Sequence, residues 1–155
     1  MTITTNASVH ATFSIDRHLA ATPARVFRAF ADADAKARWF QGPRDTWSPE
    51  IRQMDFRVGG TERVRGVLPD KGSTDFRATY HDIVQDERIV YVYDMYHNER
   101  KLSVSLATIQ LHADGTGTRM VLTEQGVFFG GLDDAARREQ GTKLLVDAIA
   151  KSLEE

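Results

Sequence analysis

DDAARREQGTKLLVDAIAKSL, residues 133–153, is the stretch that decides how this chain folds. Leu144, Leu145, Ala148, Ile149 and Leu153 recur at helical spacing, and Gly141 with Ala135 and Ala136 extends the stripe backwards. Asp133 and Asp134 fall in the first turn and Lys151 near the end, which suits the helix dipole. The spacing predicts one amphipathic helix of about five turns, from about Asp133 to about Leu153.

Almost everything before it reads as strand. From Trp47 to Phe128, apolar alternation is broken by turn signals at Gly59-Gly60, at Pro69-Asp70-Lys71-Gly72, near Asp86-Glu87, and at Asp114-Gly115-Thr116-Gly117. Gly59-Gly60 reads as a hairpin joining Ile51–Val58 to Thr61–Val67. Phe76, Ala78 and Tyr80 alternate, whereas residues 89–96 are bulky on both faces, so alternation leaves open which face looks inward. Nearer the start, Val9, Ala11, Phe13 and Ile15 alternate with polar partners as in a half-buried strand. Thr22-Pro23 then supplies an N-cap and a first-turn proline for a short helix carrying Val26, Phe27 and Phe30. Asp32 or Asp34 caps a second short helix, which ends in Trp39-Phe40 and closes at Gln41-Gly42-Pro43.

The predicted class is therefore α+β, in the order strand, two short helices, six strands, long helix. A curved antiparallel sheet of about six or seven strands needs its apolar face covered, and the C-terminal helix is the one large cover. A sheet bent around a single helix is not filled tightly everywhere, so an apolar pocket between them is expected.

The totals fit one domain over residues 1–155. The length, 41% hydrophobic and 27% charged content suit a core-bearing globular chain rather than a disordered one. With no cysteine there is no disulfide, thiolate metal site or cysteine nucleophile. The net charge of −2 is spread along the chain without a basic block, which argues against nucleic acid or an anionic membrane as partner. There is no signal-peptide pattern and no spanning apolar run, so the cytoplasm is the expected location.

Several local motifs resemble the START/polyketide-cyclase superfamily (SRPBCC), whose shape is called helix-grip. Within it, the chain is similar to the branch related to the C-terminal domain of the heat-shock protein 90 ATPase activator. Ala21-Thr22-Pro23-Ala24-Arg25-Val26-Phe27 resembles that branch's A-x-P-x-x-V-F, Arg38-Trp39-Phe40 its R/K-W-F, and Arg57-Val58-Gly59-Gly60 its R-P-G-G, with Val58 in place of the proline. Gly117-Thr118-Arg119-Met120 is similar to its G-T-R-L, followed by Thr123-Glu124-Gln125-Gly126 and the closing helix from Gly141 to Leu153. The resemblance covers essentially the whole chain. It implies a helix-grip fold and, as in some members of the superfamily, binding or processing of hydrophobic small molecules. Fold alone does not fix the reaction.

Among residues able to carry chemistry, Glu124 stands out. It continues the strand face of Met120 and Leu122 beside Val127, Phe128 and Phe129, where a carboxylate is costly unless paired and its pKa tends to rise. The bland alternative is a strand-end glutamate in water or paired with an arginine such as Arg65. His97 is in phase with Ile89, Tyr91, Tyr93 and Met95 and is a second acid–base candidate, whereas His10, His18 and His112 read as surface. Trp39, Phe40 and Trp47 are candidates for a pocket mouth, and Tyr80, Tyr91, Tyr93, Met120, Leu122, Gly141 and Leu145 for its wall; the alternative for the aromatic ones is ordinary core packing. No histidine spacing fits a metal site, and no phosphate loop or serine elbow is present, so no metal or cofactor is expected.

Three functions follow as expectations. The first is a binding module for a hydrophobic or amphipathic small molecule. The second is a cyclase- or hydratase-type enzyme using Glu124 with His97 or a tyrosine. The third, implied only by the family resemblance, is a chaperone ATPase cofactor.

Overall fold

The computed structural model describes residues 7–42, 46–131 and 133–154. The first strand, β1 (Ser8–Leu19), leads into α1 (Pro23–Ala31) and α2 (Ala33–Ala37). Six strands follow: β2 (Ser48–Met54), β3 (Thr61–Leu68), β4 (Gly72–Val84), β5 (Arg88–His97), β6 (Arg100–Asp114) and β7 (Gly117–Phe129). The chain closes with α3 (Ala135–Ser152). The seven strands form one curved, open sheet in the order β1-β7-β6-β5-β4-β3-β2, and every neighbouring pair is antiparallel.

The local signals explain the boundaries. The Thr22 side chain accepts from the Arg25 amide and caps α1, with Pro23 in the first turn. The Asp32 carboxylate accepts from the amides of Asp34 and Ala35, so Asp32 rather than Asp34 caps α2. The closing segment of α2 is described as far as Gly42, and Pro43 lies outside the described residues. Asp134 caps α3 through the Arg137 amide.

Two expectations are corrected. Gly59-Gly60 is the end of a longer connection, residues 55–60, because β2 stops at Met54. Gly59 holds φ +84°, a conformation side-chain-bearing residues avoid, and this lets its amide reach the Tyr80 carbonyl at 2.8 Å. On α3, Leu144 is 61% exposed, while Val146, which the spacing left out, is 1% exposed. The buried line is Arg138, Val146, Ile149 and Leu153, and Leu144 points some 200° around the helix from Val146. Ala136 is likewise exposed.

Two apolar clusters cover the concave face. The larger one joins β1, α1 and α3 through Leu19, Val26, Ile109, Met120, Val146 and Ile149, all at most 1% exposed. The smaller one lies on β3–β6 around Trp47, Val64, Phe76 and Tyr93. Trp47 lies flat on Gly66, where a Cβ would collide with the indole, and its Nε1 donates to Thr74 Oγ1 at 3.0 Å.

Candidate functional site

Between the two clusters, α3 stands off the sheet and leaves a cavity of about 1000 Å³. Its wall comes from the inward face of β5 (Tyr91, Tyr93, Met95), from Phe76, Ala107 and Leu122, from the Trp39-Phe40 corner after α2, and from α3. The open question about β5 is resolved by register: Tyr91 pairs with Ala107 and Tyr93 with Ser105, so this set of alternate residues faces the cavity.

The candidates divide accordingly. Trp39, Phe40, Tyr91, Tyr93, Leu122, Glu124, Gly141 and Leu145 lie on the cavity wall. Trp47 is packed behind it in the smaller cluster, and Met120 is fully buried in the larger one. Tyr80, 2% exposed, donates its hydroxyl to Glu62 Oε1 at 2.6 Å instead of facing the cavity. His97 is away from the site: it is the last residue of β5, beyond the cavity lining, and its Nε2 donates to the Lys71 carbonyl at 2.9 Å.

Two ionic groups are sunk into this apolar wall. The first centres on Glu124, 2% exposed, whose Oε1 accepts from the Tyr93 hydroxyl and faces Arg138 Nη1 at 3.7 Å. Arg138 reaches in from α3 and also donates to Tyr93 Oη (2.9 Å), Ser103 Oγ (2.8 Å) and Asp133 Oδ2 (2.7 Å). Its guanidinium lies 5.6 Å from the Tyr93 ring and 5.3 Å from that of Phe128. The partner of Glu124 is thus Arg138, while Arg65 pairs with Glu50 on the far edge. The second group is Lys36, whose Nζ donates to Glu62 Oε1 at 2.6 Å and sits 4.8 Å from the centre of the Phe40 ring. Trp39, Phe76 and Tyr91 complete an aromatic box around that ammonium, each 5.9 Å away.

Sequence reading missed Lys36, Glu62 and Arg138, yet each carried a signal. Arg138 is in phase with Leu145 and Ile149 on α3, Glu62 with Val64 on β3, and Lys36 with Trp39 and Phe40. A charge on an apolar stripe marks a buried, paired ion.

Burial raises the pKa of Glu124 above its ordinary 4.5, against the lowering by Tyr93, Arg138 and Ser105. The Ser105 hydroxyl is nevertheless without a well-formed hydrogen bond among the described residues. Burial also drives Tyr91 and Tyr93 upward, with the negative charge of Glu124 adding to both, so both phenols stay protonated at neutral pH. For Glu124, the folded state favours the neutral acid. Its contribution to stability is complete below the unfolded pKa and fades as pH climbs through the higher folded one. A carbon NMR titration of the Glu124 carboxyl should give a midpoint above 4.5, and a midpoint at or below it contradicts this assignment.

Gly141 faces open space. A Cβ built there meets no neighbouring atom within 4 Å, so glycine is not required by close contact. Gly141→Ala should raise stability by a few tenths to about 1 kcal/mol, through helix propensity and a less flexible unfolded chain. Urea unfolding checks the sign, and a loss beyond about 1 kcal/mol would mean the site is closely packed.

A family model described as activator of Hsp90 ATPase homolog 1-like protein matches residues 20–154. The chain belongs to that family. The curved seven-stranded sheet with its closing helix agrees with that assignment and with the helix-grip (SRPBCC) resemblance of the sequence. A protein of Rhizobium leguminosarum is 42% identical, with a TM-score of 0.90 and 96% of this chain and 97% of that one covered. The Mll3558 protein of Rhizobium loti is 39% identical, with a TM-score of 0.87 and 95% and 99% coverage. DynU16, from the dynemicin biosynthetic locus, shares the fold at 16% identity and a TM-score of 0.65, covering 92% of this chain and 47% of that one. A comparison with curated protein sequences finds no match. Among the described residues there is no metal-holding cluster, and no helix is long and apolar enough to cross a membrane.

Proposed function

We propose that this member of the family binds an apolar or amphipathic small molecule in the cavity between the sheet and α3. The observation that carries the reading is the pairing of a volume of about 1000 Å³ with an aromatic wall and one hydroxyl on that wall left free for a ligand. The Tyr91 hydroxyl lies on that wall and has no hydrogen-bond partner among the described residues. Ligand sites are typically clefts of roughly 300–1,000 Å³, mostly apolar, with a few placed polar groups. That hydroxyl is open to the cavity rather than sealed off, since Ser105 Oγ alone is fully buried without a partner among the described residues, so a ligand oxygen or nitrogen can reach it. Extraction of freshly purified protein into organic solvent, followed by mass spectrometry, should recover a stoichiometric apolar compound. Gly141→Leu should fold and lose the neutral dye N-phenylnaphthylamine. Recovery of no compound, together with no dye binding by the parent protein, would overturn the reading.

A second reading, acid–base catalysis at Glu124, draws on the burial and raised pKa of that carboxyl. Binding is favoured because Tyr93 and Arg138 already occupy Glu124, which makes the group a tie between sheet and helix. Turnover with a bell-shaped pH profile, abolished in Glu124→Gln, would reverse that preference. For the chaperone-cofactor reading, which rests on the family description, stimulation of a chaperone ATPase is the deciding assay.

A further inference from the structure

The cavity wall is electrically lopsided. The chain as a whole carries −2, yet the described wall holds five cations, Lys36, Arg38, Arg137, Arg138 and Lys151, against two carboxylates, Glu124 and Asp133. Both carboxylates are engaged by Arg138, and Lys36 is neutralised by Glu62. What remains is a set of exposed cations at the mouth. Arg137, Gly141, Leu144, Ala148 and Lys151 follow one another at helical spacing along the outer edge of α3, and Arg38 stands at the end of α2. Arg38 and Lys151 have no ion-pair partner among the described residues, and Arg137 only a loose one, Asp134 at 3.9 Å. Deeper in, an anion would meet Glu62 and Glu124 behind aromatic rings, where its desolvation is uncompensated.

From this arrangement, and resting on the binding reading above, we infer that the ligand is an anionic amphipath. Its apolar body lies against Tyr91, Leu122 and Leu145, and its carboxylate-like head stays at the mouth between Arg38 and the Arg137/Lys151 edge of α3. The exposed Leu144, between the two α3 cations, then has a covering partner in the ligand's neck. A head held at the mouth keeps part of its hydration, so recognition is by charge focusing and should depend on salt.

Two dyes with the same aromatic skeleton test this: N-phenylnaphthylamine, which is neutral, and anilinonaphthalene sulfonate, which carries one negative charge. At low ionic strength the sulfonate should bind about five- to tenfold more tightly than the neutral dye, and high salt should remove most of that difference. Arg137→Gln combined with Lys151→Gln should likewise bring the two affinities together, while wild-type protein alone already gives the comparison if that variant folds poorly. Equal affinities, or a preference for the neutral dye, would overturn the anionic ligand and leave the cavity reading standing. Binding of neither dye, with no compound recovered from the purified protein, would overturn both.

Discussion

Arg138→Met is expected to destabilise the protein by about 3–5 kcal/mol at neutral pH, the usual cost of removing one member of a buried ion pair. Methionine keeps much of the stem's packing between Tyr93 and Phe128, so the loss reports on charge and hydrogen bonding rather than on a cavity. Without the guanidinium, Glu124 is left 2% exposed with Tyr93 alone, and Ser103 loses its bond. Asp133 loses its closest cation. Acid should shrink the deficit, because a protonated Glu124 no longer needs Arg138. The double variant Arg138→Met/Glu124→Gln should recover part of it at pH 7 for the same reason. Urea unfolding at two pH values measures both effects. A deficit below about 1 kcal/mol, unchanged by pH, would mean that Arg138 is held at the surface.

Ending the chain at Gly131 should have a larger effect. α3 contributes Val146 and Ile149, each 1% exposed, and Leu153 follows at 7%. At about 1.5–3 kcal/mol per buried aliphatic side chain, these three supply roughly 5–9 kcal/mol, comparable with the whole stability of a small domain. The truncation also bares the concave-face surface of Met120, Leu122, Phe13 and Ile15. It should therefore be insoluble or lack a cooperative unfolding transition. A soluble truncated chain that unfolds cooperatively would contradict the role given to α3.

Where the pattern was local, the fold could be read directly from residues. Alternation at Phe13 and Ile15, the Thr22-Pro23 cap, and the Ile149–Leu153 end of α3 each report a neighbour a few positions away. β1 ends at Leu19, short of the Thr22-Pro23 stop, but what its later residues bind could not be read: Asp16 bonds to Arg119 across the sheet and Arg17 to Asp147 on α3. Those partners lie more than a hundred residues away along the chain, and no window of sequence contains them. The site was legible to the same extent. Glu124 stood out because its own strand is apolar, and Gly141 because glycine is out of place in a helix. Arg138 was hidden by its charged neighbours Arg137 and Glu139, although its phase with Ile149 marked it. His97 keeps the alternation of Tyr91, Tyr93 and Met95 along β5, but alternation gives a face and not how far along the strand the cavity reaches.

The central claim, that a ligand occupies the space under α3, is tested most directly by intermolecular NOEs between bound N-phenylnaphthylamine and the methyl groups of labelled protein. The account predicts contacts to Met95, Leu122, Leu145 and Ala148, all on the cavity wall. It predicts none to Val104 or Leu106, whose alternation with Ala107 turns them to the opposite face of the sheet. Contacts confined to Val104 and Leu106, with the four cavity methyls silent, would contradict it.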